Sequence, residues 1–280
     1  MKEVSLEDDG ITRRIFIYSF LVLTASFMLI PFIWMLSSSL KLNKDVFVFP
    51  MQWIPENPRW KNYSDIWVKV PLLRFIYNTF KLAIIVTVLQ VLSSSFAAYA
   101  FAKLSFPGRR LLFLGYIATI AVPWHAYMVP QFIMMSRLGL NNTHLALILL
   151  QAFSAFGVFL MKQFYESVPD ELRDAARIDG CSEYSIWRRI MLPLTKPAIS
   201  TLAIITYVTT WNDFLGPQIY LTRTEVKTIQ IGLRSFIGQY SSEYGLIMAA
   251  SVVTLIPVLI VFLSLQRYFV QGIASTGIKG

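Results

Sequence analysis

The chain has 280 residues, 55% of them hydrophobic and only 15% charged, and its apolar residues fall in runs longer than a soluble helix needs. This excludes an ordinary soluble domain and places the chain among integral membrane proteins. A single cysteine, Cys181, excludes an intrachain disulfide, and the net charge of +9 sits on lysines and arginines scattered between the apolar runs, which points to membrane topology rather than nucleic acid.

Residues 1–14 are short and polar, with Glu7-Asp8-Asp9 followed by Arg13-Arg14. Residues 15–36 carry no charge and, at about 1.5 Å per residue, cross a hydrocarbon core of about 30 Å. This run is too long for the apolar part of a signal peptide, contains Pro31 and Trp34, and lacks a small-residue cleavage site, so it is expected to stay as a first span. Residues 37–71 form the longest loop. In it, Asn57-Pro58 predicts a helix cap followed by a proline at the first helical position, and Trp60, Tyr63 and Trp67 then share one helical face. Anchoring at the outer membrane surface is the preferred reading, and contact with an external protein the alternative.

A second span is predicted at residues 76–102, with Lys81 near its start and small residues Ser93, Ser94, Ser95, Ala97 and Ala98 suited to close packing. The third, 111–135, is broken by Pro123 and Pro130, and the fourth is 145–161. Between the fourth and fifth lies a charged island, residues 167–197, predicted as two short amphipathic helices. Asp170, Glu171 and Asp174 load the opening of the first and Arg177 its close, while Asp179-Gly180 reads as a stop with Gly180 left-handed. Ser182 is expected to cap the second, which carries Glu183 early and Arg188 and Arg189 late, with Pro193 and Pro197 ending it. Tyr184, Trp187 and Met191 recur at helical spacing along it, as Leu172, Ala175 and Ala176 do in the first. Cys181 reads as a small turn-filling residue. The fifth span is 198–220, the sixth 246–269, and 271–280 is a tail, so the predicted fold class is all-α and polytopic, with a membrane domain over 15–270. Lys103, Arg109 and Arg110 in the short second loop, with the charged island, set these loops and both termini on the cytoplasmic side.

Polar residues inside spans are costly unless they pair or face water, so they are candidates for a transport pathway. They are Trp124, His125, Tyr127 and Gln131 between the two prolines, Gln90 and Gln151 in the second and fourth spans, and Trp211, Asn212 and Asp213 in the fifth. Aromatic faces with amide and carboxylate partners suit sugars, although helix–helix hydrogen bonding or interfacial anchoring accounts for each residue singly. Two other classes use the same side chains. An ion-coupled secondary carrier would use Lys81, His125 and Asp213, and a membrane enzyme His125, His144 and Asp213, but no metal-site spacing such as H-E-x-x-H joins them. The chain carries no G-x-x-x-x-G-K-[ST] phosphate loop.

The pattern Asp174, Ala175, Ala176, Gly180, Ile190, Leu192, Pro193 resembles the EAA loop of the membrane subunits of ATP-binding-cassette importers, with Asp174 where that motif usually has Glu. The stretches PFIWMLSSSLK, FPMQWIPENPRWKNY, TWNDFLGPQIYL and QRYFVQGIASTGIKG are similar to the carbohydrate-importer branch, specifically its maltose-type second permease subunit. The resemblance implies a six-span permease whose coupling helices dock on a separate cytoplasmic ATPase. It further implies a partner permease, two ATPase copies that bind the ATP and magnesium, an extracytoplasmic sugar-binding protein, a bacterial-type inner membrane, and no catalytic, cofactor or metal residues in this chain. In that family the tail, here with Gly277, Lys279 and Gly280, reaches towards the ATPase interface.

Overall fold

A computed structural model describes the backbone of residues 8–238 and 243–276, and the side chains of 10–238 and 243–266. Gly277, Lys279 and Gly280 lie outside the described residues. Those described are all-helical, without a β-strand, and fall into two compact units, Met1–Val70 with Ser235–Val253, and Pro71–Arg234 with Thr254–Gly280.

The first unit opens with α1 (Asp8–Ser39), which runs on through Pro31. Its apolar side chains point out of the chain, Phe27 being 74% exposed, and need lipid or another protein around them. The loop after it folds back as α2 (Asn62–Lys69). Here the structure corrects the sequence reading, because the helix starts at Asn62 rather than at Pro58 and Asn57 caps nothing. The buried side chain of Asn62 donates to the carbonyls of Ser39 and Lys41, each at 2.9 Å. Satisfying two loop carbonyls that would otherwise be buried without partners sets where the helix begins. Tyr63 joins Ser39 through their hydroxyls at 2.8 Å, while its ring lies 6.4 Å from that of the exposed Trp60, so the two share a face as the spacing predicts. Buried Lys41 donates to the carbonyl of Gln52 and lies 4.1 Å from the centre of the Trp34 ring.

The second unit is built on α3 (Leu72–Lys103), a helix apolar along nearly its whole length. After the left-handed Gly108 come α4 (Arg109–Ala118), α5 (Met128–Arg137), α6 (His144–Gln151) and α7 (Ala155–Ser167). Next are α8 (Glu171–Ile178), α9 (Glu183–Ile186), α10 (Leu192–Leu194), α11 (Lys196–Trp211), α12 (Leu215–Tyr220) and α13 (Ile229–Arg234). The last helix, α14 (Tyr244–Thr276), begins in the first unit and ends in the second. Among the described residues three helices are long and apolar enough to cross a membrane, α1, α3 and α14, or up to five if two bent pairs each count as one span.

The middle apolar runs are interrupted helices, for local reasons. Val122, extended before Pro123, ends the first half of the third run, as a residue preceding proline tends to do. Pro130 does not break it, because it falls in the first turn of α5, where no intrahelical N–H is needed. The fourth bends by 42° between α6 and α7, where Ser154 accepts from Gly157 N at 3.0 Å and restarts the helix. The fifth stops at Trp211 and resumes at Leu215, with Asp213 accepting from Gly216 N at 3.1 Å.

Helix α3 packs lengthwise on α7 and α11. Tyr99, Met161, Tyr165, Ile186, Met191 and Leu202 meet in one buried cluster, and Leu82, Val86, Leu147 and Tyr220 form part of another.

Candidate functional site

The first helix of the charged island and the cap of its second fold as the sequence suggests. Helix α8 ends before Gly180, whose φ of +80° is left-handed, and Ser182 accepts from Ser185 N at 3.3 Å to cap α9. Pro193 does not end the second helix. A wide turn at Trp187–Met191, in which Leu192 N donates to the carbonyl of Trp187, shifts the register before the proline, and the helix runs on to Leu194. The chain then turns by 81° into α11.

What holds this pair of helices is a polar stripe along α3 at a spacing of four, formed by Ser95, Tyr99 and Lys103. Ser95 Oγ accepts from Trp187 Nε1 at 3.0 Å and pairs with the Tyr165 hydroxyl at 2.6 Å. Tyr99 donates its hydroxyl to Glu183, which also accepts from Arg173 at 3.2 Å and from Arg177. Lys103, its side chain only 3% exposed, donates to Asp170 Oδ1 at 2.5 Å and to the carbonyl of Val168 at 2.6 Å. The Lys103 ammonium holds the Asp170 carboxyl below its usual pKa. For Glu183, burial pushes the pKa up, but bonds from Tyr99, Arg173 and Arg177 outweigh it and leave it low. The two alanines of the island divide, Ala176 facing the core and Ala175 outward. Outward too are Asp174, Leu172, Tyr184 and Ile178, the last 87% exposed, while Ile190 and Leu192 are half-buried and Pro193 is exposed. The result is an outer face with apolar side chains on a base fixed to α3.

The polar span residues meet elsewhere in the same unit, around a cavity of about 290 Å³ lined by Trp124, Tyr127, Gln131, Gln151, Asp213 and Tyr220, with Leu147, Leu150 and Gly216. Trp124 Nε1 donates to Gln131 Oε1 at 2.8 Å. Gln151 Nε2 donates to Asp213 Oδ2 at 2.9 Å, and its Oε1 accepts from Thr210 at 3.2 Å. Gly216 allows close approach here, since a Cβ on it would stand 2.6 Å from Asp213 Oδ2. Four candidates are not at the wall of this cavity, Gln90 among them. His125 is exposed, with its ring 5.8 Å from that of Trp124; Trp211 is buried and stacks on Tyr207; Asn212 is exposed and donates to the carbonyl of Val208 at 3.0 Å. Lys81 does not line it either.

Sequence reasoning missed the stripe on α3 and missed Tyr220. A polar residue every fourth position near the end of an apolar helix was a readable signal for Ser95, Tyr99 and Lys103. Nothing local marks Tyr220, which reaches the cavity because the chain breaks at residues 212–214 and resumes as α12.

Comparison with known proteins follows the same lines. Residues 90–275 match the family described as binding-protein-dependent transport system inner membrane component. The chain is 39% identical over 203 residues, 72% of its length and 73% of the relative's, to the arabinooligosaccharides transport system permease protein of Halalkalibacterium halodurans. It is 33% identical over 259 residues, 92% of its length and 94% of the relative's, to the lactose transport system permease protein of Rhizobium radiobacter. It is also similar to one chain in the crystal structure of a bacterial ABC transporter involved in the import of the acidic polysaccharide alginate, with a TM-score of 0.75 and 26% identity, covering 96% of this chain and 100% of that one.

Proposed function

The chain belongs to the family of binding-protein-dependent transport system inner membrane components, the permeases of ATP-binding-cassette importers, and on that premise we propose that it forms half of the translocation pathway of a sugar importer. In this reading the middle runs complete a six-span bundle in a bacterial-type inner membrane, with both termini and the loop at 167–197 in the cytoplasm. A second permease supplies the other half, two ATPase subunits bind ATP and magnesium and hydrolyse the nucleotide, and an extracytoplasmic protein delivers the sugar. The chain itself holds no cofactor.

One observation carries the coupling role. Helices α8 and α9 show apolar side chains outward, Leu172, Ala175, Ile178 and Tyr184, while their inner side is tied to α3 through Lys103, Tyr99 and Ser95. A lever needs both, a face for the motor to push and a rigid link to what must move. Closure of the ATPases would displace α8 and α9, the ties would carry the displacement into α3, and the pathway would open outward. Trp124, Tyr127, Gln131, Gln151 and Asp213 form the part of that pathway which this chain contributes.

The test is Ala175→Trp, which adds bulk on the outer face and leaves the core alone. With the assembled transporter in proteoliposomes, ATP-driven sugar uptake is expected to fall about tenfold or more while the amount of protein in the membrane stays the same. Undiminished uptake would refute the docking role.

A further inference from the structure

The cavity at Trp124 and Asp213 has a chemistry that narrows what it can take. None of the residues lining it is a lysine, arginine or histidine, and the one ionisable acid, Asp213, presents oxygens that already accept from Gln151 and Gly216. An anion entering would face acceptors with no cation to neutralise it, and burying an unpaired charge is among the most costly steps available to a site. Hydroxyl groups meet the opposite situation. They can donate to the Asp213 carboxylate and to the Gln131 and Gln151 amide oxygens, and accept from the amide nitrogens beside them. The Trp124 indole, steadied by its bond to Gln131, adds a flat apolar wall. At about 290 Å³ the cavity lies at the small end of ligand sites, roughly 300 Å³ and above.

A second, more open pocket, of about 270 Å³, is lined by Gln90, Gln151, Thr209, Thr210 and Asp213. It shares the Gln151–Asp213 pair with the first and has no basic residue either. The pair therefore borders two small pockets, each of a size for about one ring.

We infer that these pockets bind an uncharged, polyhydroxylated solute, one sugar ring in the aromatic pocket and the next in the amide and hydroxyl pocket, and that they turn away sugars bearing phosphate, carboxylate or sulfonate. The inference rests on the pathway role proposed above. It adds that the permease, and not only its delivery protein, discriminates by charge, through the absence of a cation beside Asp213. Negative selection of this kind needs no contact with the rejected solute beyond its charge.

The experiment uses the assembled transporter in lipid nanodiscs without its delivery protein, with saturation-transfer NMR reading weak binding of lactose, galacturonate, sn-glycerol 3-phosphate and choline. Lactose is expected to give signal, the two anions about a tenth of it or less, and choline less than lactose. Trp124→Ala should remove most of the lactose signal. Tyr127→Arg, which sets a cation on the exposed rim of the cavity, should raise the galacturonate signal several-fold. If wild type binds galacturonate or glycerol phosphate as well as lactose, the charge inference fails and the pathway role survives. Choline in excess of lactose makes the site one for cations and overturns it as well. A lactose signal untouched by Trp124→Ala, or none from any sugar, removes the pathway role itself.

Discussion

Two polar regions of the same unit use their hydrogen bonds in opposite ways. At the end of α3, Lys103, Tyr99 and Ser95 reach Asp170, Glu183 and Trp187, and Glu183 alone gathers Tyr99, Arg173 and Arg177. At the cavity the polar groups ring a space, and among the described residues the buried Tyr220 hydroxyl has no hydrogen-bond partner. Groups that satisfy one another stiffen the chain, while groups left facing a void have free energy to gain from a guest. The first pattern suits the transmission of force and the second suits recognition.

The largest expected break in this contrast is at Glu183. Replacing it with alanine strands Tyr99, Arg173 and Arg177 together, and charge-assisted bonds are worth about 1.5–3 kcal/mol each. Uptake should fall by about tenfold or more while ATP hydrolysis by the assembled transporter persists, a split read by measuring both rates on the same proteoliposomes. Next is Gly180→Val, which forces a β-branched residue to a φ of +80° at a cost of about 1–2 kcal/mol. It should lower the thermal stability of the purified protein and weaken coupling, whereas Gly180→Asn, which tolerates that conformation, should come close to wild type.

At the open region Gly216→Ala sharpens the comparison, because its methyl would displace the Asp213 carboxylate without touching the loop at 167–197. The concentration of sugar giving half-maximal uptake should rise several-fold with uncoupled hydrolysis unchanged. The smallest effect is at Asp170, 70% exposed. Lys103 lowers its pKa, so the pair stabilises the fold above the ordinary carboxylate range and that contribution fades as the pH falls through the lowered value. Wild type should therefore melt slightly above Asp170→Asn at pH 7, and the gap should close in acid. A gap that widened in acid would contradict the pairing.

The sequence showed where the apolar runs lie and where α8 and α9 begin and turn, because apolar runs and caps are written in local residues. Gly180 and Ser182 fold as read. The third, fourth and fifth runs were less legible, since hydrophobicity does not reveal that Ser154 restarts one helix or that Asp213 holds the start of another. The misplaced start of α2 has the same origin. Asn62 is drawn into the loop by carbonyls more than twenty positions away, and Asn57-Pro58 offered the more familiar local signal. Within the cavity, Trp124, Gln131, Gln151 and Asp213 could be named because polar residues in spans stand out, whereas Tyr220 is aromatic among aromatics.

The lever is tested most directly by placing a photo-crosslinking amino acid at position 178, the most exposed apolar side chain of α8, in cells that make the whole transporter. The account predicts a covalent adduct with the cytoplasmic ATPase subunit whose yield changes when nucleotide is trapped. Adducts with lipid alone, or labelling of that position by an impermeant reagent from outside the cell, would contradict it.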